Sequence, residues 1–249
     1  MTGDDQDSGQ VSGLGRIELS LLDPQPSTEQ IVAVIERARQ EGIGAVWLPP
    51  TSFPVRGIGG EGDAQGSVRR CSVAGYPTGQ HHVLVTASEA HMAVANGADE
   101  VTVVLDPAHV YGGPDATGDL NALIGEIVTL REAVPYPAVL RVALGTVRGA
   151  GQVTGSVPAA VLQTVARAAV TAGADVVVGP SDDAPGEGSA EETIRILAEA
   201  VAGSSVTVMS GRVLSFDDPG AFDVVERLSA AGAHRVVLDA ASLSTGSTA

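Results

Sequence analysis

The sequence predicts an α/β fold, a single closed (β/α)8 TIM barrel. Three observations carry this. First, one phrase recurs four times: a helical stretch, a glycine, then a short apolar run. The copies are Glu41-Gly42-Ile43-Gly44-Ala45-Val46-Trp47-Leu48, Asn96-Gly97-Ala98-Asp99-Glu100-Val101-Thr102-Val103-Val104, Ala172-Gly173-Ala174-Asp175-Val176-Val177-Val178 and Ala231-Gly232-Ala233-His234-Arg235-Val236-Val237-Leu238. The glycine suits the left-handed end of a helix, and the β-branched run suits a parallel strand buried on both faces. Second, filling the gaps gives eight strands alternating with helices, in the about 230 residues that such a barrel requires. Third, no GxGxxG follows the first strand, which argues against an open doubly wound sheet.

In chain order the predicted strands are 17–22, 45–48, 71–74, 100–105, 139–144, 175–178, 206–210 and 235–238. Helical periodicity covers 28–40, 85–96, 119–133, 158–171, 190–202 and 219–231. Ser27 or Thr28, followed by Glu29 and Gln30, makes an N-terminal cap, and Pro158 and Pro219 suit first-turn positions. Asp115 and Asp119 flank a helix start and read as caps. The connection 51–67 is too rich in glycine for a helix, and little chain follows the eighth strand for a closing one. Residues 1–15 are polar and aperiodic and read as a disordered arm, 16–241 as the one barrel domain, and 242–249 as a flexible tail.

Composition narrows the function. All 14 cationic side chains are arginine and none is lysine, so a lysine Schiff base is excluded. Against 30 carboxylates they leave a net charge of −16, which argues against nucleic acid or an anionic membrane as partner. The single cysteine, Cys71, cannot pair internally, and the acidic start MTGDDQDSGQ is unlike a signal peptide, so a cytoplasmic location is expected. No apolar run approaches a membrane span of roughly 20 residues.

Several motifs, taken in order, resemble the deoxyribose-phosphate aldolase family, the DeoC-type class I aldolases. They are Ile17-Glu18-Leu19-Ser20-Leu21-Leu22-Asp23-Pro24, Val73-Ala74-Gly75-Tyr76-Pro77-Thr78-Gly79, Gly97-Ala98-Asp99-Glu100-Val101, Gly173-Ala174-Asp175 and Ser210-Gly211. The likeness spans roughly residues 15–240. It implies a class I aldolase barrel with its reactive groups at the C-terminal ends of the strands. It also implies three functional positions that this chain does not fill. The Schiff-base lysine falls at Val178, the second lysine at Met209 or a neighbour, and the proton-relay aspartate at Thr102. The family's phosphate site is doubtful too. Pro180 and Pro185 remove N–H donors, Asp182 and Asp183 repel a dianion, and only Ser210-Gly211-Arg212 keeps a cation.

Other polar residues fall at predicted barrel-top positions. Glu18 and Arg141 read as a carboxylate base beside a guanidinium that steadies an enolate or carboxylate, or else as a structural ion pair. His109, in the loop after the fourth strand, is an acid/base candidate, or a solvated loop histidine. Ser20, Thr102, Asp106, Ser181, Ser210, Arg212 and Asp239 are candidate ligand-binding residues. His81 and His82 lack HxH or HxxxH spacing, so no metal and no cofactor are expected. His91 and His234 read as structural or surface residues. Cys71 reads as an inert thiol at the bottom of the barrel. Trp47 either fills the barrel or packs under a helix.

Two functions follow. One is an enzyme of altered acid/base chemistry, of lyase, cyclase or isomerase type, on a small carbonyl or carboxylate metabolite. The other is a catalytically silent aldolase paralogue that binds a metabolite or a partner. A small-molecule metabolite is the expected partner, and a homodimer is compatible with the chain. A barrel plugged by Trp47, Val178 and Met209 would favour the second.

Overall fold

The computed structural model describes residues 13–23, 25–55, 68–111, 119–144, 158–179 and 190–240. Eight parallel strands close into a barrel in chain order: β1 (Ile17–Ser20), β2 (Ala45–Leu48), β3 (Arg69–Ala74), β4 (Glu100–Val104), β5 (Val139–Ala143), β6 (Val176–Val178), β7 (Thr207–Ser215) and β8 (Arg235–Asp239). Around them lie α1 (Thr28–Glu41), α2 (Val83–Ala95), α3 (Pro107–Tyr111), α4 (Leu120–Ala133), α5 (Ala159–Ala172), α6 (Ala190–Val201) and α7 (Ala221–Ala230).

Strand alternation separates two cores. Ile17, Leu19, Val46, Leu48, Val101, Val103, Leu140, Val142, Val177, Val236 and Leu238 face the helices and join one large apolar cluster. The intervening residues face the barrel axis. There Ala45, Trp47, Cys71, Val73, Val104, Ala143, Val176, Val178, Met209 and Val237 form a second, smaller cluster.

The repeated phrase does what its sequence requires. Its glycines Gly42, Gly97, Gly173 and Gly232 all have positive φ, from 72° to 115°. That conformation turns the chain from a helix end into the next strand at little cost only when no Cβ is present. At the start of α1, Ser27 Oγ accepts the Gln30 N–H at 3.2 Å while Gln30 Oε1 accepts the Ser27 N–H at 2.6 Å, a complete capping box. Asp119 caps α4 by accepting the N–H groups of Asn121 and Ala122, both at 3.0 Å.

Several boundaries differ from expectation. Gly13–Arg16, which begin within the expected arm, form a 3-10 turn leading into β1. β3 begins at Arg69, so Cys71 is its third residue and lies inside the barrel, not at the strand start. α2 begins at Val83 because His82 caps it, its Nδ1 accepting the Leu84 N–H at 3.2 Å. Pro158 sits at the N-cap of α5, and Pro219 lies two residues before α7, so neither occupies a first turn. β7 runs on to Ser215, which puts Arg212 in the strand. Its pairing with β8 slips between Met209, Arg212 and Ser215, and Ser210 Oγ accepts the Val237 N–H at 3.2 Å across the slip. Asp115, Ser181, most of the 51–67 connection and the 242–249 tail lie outside the described residues.

The Gly75–Gly79 turn after β3 is shaped by a close approach. Gly79 has φ +69°, donates its N–H to Gly75 O at 2.8 Å, and lies against the backbone of Leu105. A Cβ there would meet the Leu105 carbonyl oxygen in hard overlap, and its carbon at 2.7 Å. Gly42, with φ +72°, has open space around its missing side chain. Gly79→Ala should therefore destabilise by about 1–3 kcal/mol more than Gly42→Ala, which bears the left-handed penalty alone. Urea unfolding of both variants checks this, and equal losses would contradict it.

Candidate functional site

The barrel interior has two chemically distinct levels. The lower one is ionic. Arg141, wholly buried, uses all five of its N–H donors. Nε and Nη2 both reach Glu100 Oε2, Nε at 2.6 Å. Nη1 and Nη2 straddle Glu18 at 2.6 and 3.0 Å, and the remaining Nη1 proton points to Met209 Sδ at 3.5 Å. Arg235 Nη1 touches Glu18 at 3.0 Å and Glu100 at 3.1 Å, and Arg69 reaches Glu100 at 3.1 Å. The Trp47 indole N–H donates to Glu18, and its ring lies 5.4 Å from the Arg141 guanidinium carbon.

Glu18 and Arg141 thus meet inside the barrel, but not at the barrel top where the sequence places them. Glu100, Arg69 and Arg235 are the first residues of β4, β3 and β8, so the network occupies the N-terminal half of the barrel. Residues at that end of a barrel serve stability, and reactive groups sit at the other. Both side chains are fully buried and their polar atoms are committed to protein partners. Burial pushes the Glu18 carboxyl up, but Arg141 and then Arg235 outweigh it, and the pKa falls to about 2. Burial also raises the Cys71 thiol well above its usual range, which leaves it inert.

The upper level is apolar. Trp47, Val73, Val104, Ala143 and Val178 lie at or near the C-terminal ends of β2 to β6 and pack with Met209 into the inner cluster. Trp47, Val178 and Met209 are at most 1% exposed. Trp47 therefore fills the barrel, the first of its two expected placements. Thr102 is also fully buried, and the hydroxyls of Thr102 and Ser20 have no hydrogen-bond partner.

The other candidates are scattered. Ser210 is spent on the β7–β8 slip, and Asp239 ends β8 beside Ser20 in register. Ser181 and the side chain of Arg212 lie outside the description. His81 and His91 are exposed, as is His234 at the start of β8. Among the described residues, no three histidine, cysteine or carboxylate side chains could hold a metal ion together.

His109 stands apart. It lies on the short helix α3, not in a loop, because Asp106 Oδ1 accepts the Ala108 N–H at 2.9 Å and starts the turn. Its Nδ1 sits 2.7 Å from Glu126 Oε2, and Glu126 Oε1 accepts the Asp106 N–H at 3.2 Å. Glu126 comes from the inner face of α4, only 7% exposed, and burial raises its pKa against the pull of His109. The pair stands just beyond the C-terminal end of β4. Sequence reasoning missed Glu126, Glu100, Arg69 and Arg235. The last three carried one signal: charged residues at strand positions that alternate into the barrel.

Removing Arg141 strands two buried carboxylates, so Arg141→Met should cost about 3–5 kcal/mol in urea unfolding. Because the folded Glu18 pKa of about 2 lies below its ordinary 4.5, its stabilising contribution is present above pH 4.5 and is lost as pH falls toward 2. A thermal midpoint that holds constant from pH 4.5 to 2 would contradict this.

No family model matches the chain. The chain is 35% identical over 185 residues to the deoxyribose-phosphate aldolase of Corynebacterium jeikeium, covering 74% of this chain and 69% of that one. It is 34% identical over 206 residues to that of Corynebacterium glutamicum, covering 83% and 85%. Among solved structures it superposes on an aldolase designated QR15 with a TM-score of 0.71 at 20% identity, covering 92% and 91% of the two chains. It superposes on a deoxyribose phosphate aldolase from Aeropyrum pernix, described as a unique tetramer, with a TM-score of 0.67 at 24% identity, covering 90% and 86%.

Proposed function

Because the chain belongs to the deoxyribose-phosphate aldolase family, we propose that it keeps the family's barrel but is a catalytically silent paralogue, which binds a metabolite or partner protein outside the barrel interior. One observation carries this reading. The positions where the resemblance places the two lysines and the relay aspartate are Val178, Met209 and Thr102, all sealed in the core at 0–1% exposure.

The chemistry agrees. An iminium intermediate needs a primary amine that attacks a carbonyl and loses water. The chain has no lysine, so no side chain supplies that amine. Arginine does not substitute, because its delocalised guanidinium stays protonated. The buried Arg141 is moreover committed through all five donors. Trp47 and Met209, each 1% exposed, fill the barrel interior at their level.

The His109–Glu126 pair supports the second reading, an enzyme of altered acid/base chemistry on a small carbonyl or carboxylate metabolite. Glu126 fixes one ring nitrogen, and the other has no protein partner among the described residues, an arrangement suited to general base or acid work.

Borohydride treatment with acetaldehyde or deoxyribose 5-phosphate separates the main reading from an active aldolase. The expected result is no mass adduct on any barrel residue; one adduct there overturns it. For the second reading, a lyase, cyclase or isomerase turnover that disappears in His109→Asn and falls about 10²–10⁴-fold in Glu126→Gln would replace the silent paralogue with an enzyme.

A further inference from the structure

We infer that the cavity at the N-terminal end of the barrel, between the C-terminal ends of α6 and α7, is a binding site for a small organic oxyanion, a carboxylate or a phosphate ester, held by Arg16 and His234. The inference rests on the reading above that a metabolite is bound outside the barrel interior, and gives that metabolite its place.

The cavity has a volume of about 380 Å³, within the range of about 300–1,000 Å³ usual for small-molecule sites. Arg16 directly precedes β1, Thr207 opens β7 and His234 directly precedes β8, so the cavity lies at the end of the barrel opposite to the one where reactive groups sit. Its walls divide by character. Ala198, Val201 and Ala233 supply apolar surface for a short carbon body, and Arg16, Thr207, Ser229 and His234 supply donors for a charged head.

The sign of the local charge sets the ligand. The chain carries −16, yet no carboxylate lines this cavity. Beside it the ion network holds Arg69, Arg141 and Arg235 against Glu18 and Glu100, an excess of one cation before Arg16 is added. No ion pair occupies Arg16 among the described residues. Its planar fork matches a carboxylate or phosphate in geometry. Burial, and then the charges of Arg235, Arg16 and Arg69, hold the His234 imidazole below its ordinary pKa, while Glu18 pulls the other way. α6, α7 and β7 place no charged side chain on the cavity. A bound anion offsets those arginines and favours the imidazolium. Ser229 Oγ is buried without a hydrogen-bond partner, and rotation about its single side-chain bond offers the hydroxyl to a ligand oxygen. The helix ends that rim the cavity put up little opposition, although a helix C-terminus ordinarily disfavours an anion. In α7 the carbonyls of Arg227, Leu228 and Ser229 already accept the N–H groups of Ala231, Ala233 and Gly232. In α6 the Val201 carbonyl accepts both the N–H and the hydroxyl of Ser204.

NMR titration of the full chain with butyrate and with propyl phosphate tests this, and the tighter of the two names the head group. The chain has 5 histidines, so the ring signal of His234 is the one missing from His234→Gln. That signal should shift on adding at least one of the two anions, and its titration midpoint should rise. Butyrate keeps its charge between about pH 8 and about pH 6, so its affinity should increase as pH falls through that range, and His234→Gln should remove the dependence. Arg16→Gln should weaken binding at least about tenfold. Ser229→Ala, expected to weaken it about three- to tenfold, carries the test where Arg16→Gln fails to fold. Arg167→Gln, exposed on α5, should leave the affinity unchanged. Failure of both anions to bind, a His234 signal that stays fixed, binding undiminished in a folded Arg16→Gln chain, or equal loss in Arg167→Gln would each overturn the site. None of these outcomes bears on the borohydride result, which decides separately whether the barrel is silent.

Discussion

The structure depends on a four-way charge balance inside the barrel. Glu18 and Glu100 are answered there by Arg141 and Arg235, with Arg69 reaching in from the rim. Isolated charges so deeply buried would be prohibitively costly, and the attraction repays that only when every donor and lone pair finds a partner. A barrel with small aliphatic walls makes this feasible. Ala45, Val176 and Val237 leave the axis open enough for a guanidinium to lie between two carboxylates. The network ties β1, β3, β4, β5 and β8 at one level, so it fixes strand register as well as filling space. A slip of one residue in any of these strands would turn its charge toward the helices.

That lower level constrains the upper one. With Arg141 directed to Glu18 and Glu100, Trp47 is anchored through its N–H to Glu18 and belongs to the same apolar cluster as Val73, Val104, Val178 and Met209. The same side chain closes the ion network from above and fills the interior. The hydroxyls of Ser20 and Thr102 are buried there without a hydrogen-bond partner, and each carries a desolvation cost with no hydrogen bond to offset it. Among the described residues, His109 on α3 and the buried Glu126 that supports it stand beside the barrel and not within it.

Much of this was legible in the sequence because it is local. The four glycine phrases mark helix ends and strand starts by backbone geometry, and Ser27 with Gln30 is a cap readable from a spacing of three. The pairing of Glu18 with Arg141 was also within reach, since both alternate into the barrel. Their level and their company were not. Glu100 lies 41 residues from Arg141, and Arg235 lies 217 from Glu18, so only closure of the barrel brings them together. β7 was misjudged for a related reason. Its extension past Ser210 depends on a register slip against β8, which a single strand's pattern does not record. The short helix α3 was too brief for periodicity to show, and Glu126 read simply as one residue of the α4 pattern.

The absence of lysine takes on a different meaning at each level. In the lower network arginine is the required cation: one planar group donates to Glu18, Glu100 and Met209 at once, whereas an ammonium would present three donors from a single point. There, arginine in place of lysine has a structural reason. At Val178 and Met209 the side chains are apolar and at most 1% exposed. The composition therefore combines two separate facts. Arginine holds the base of the barrel together, and apolar side chains fill the level above it.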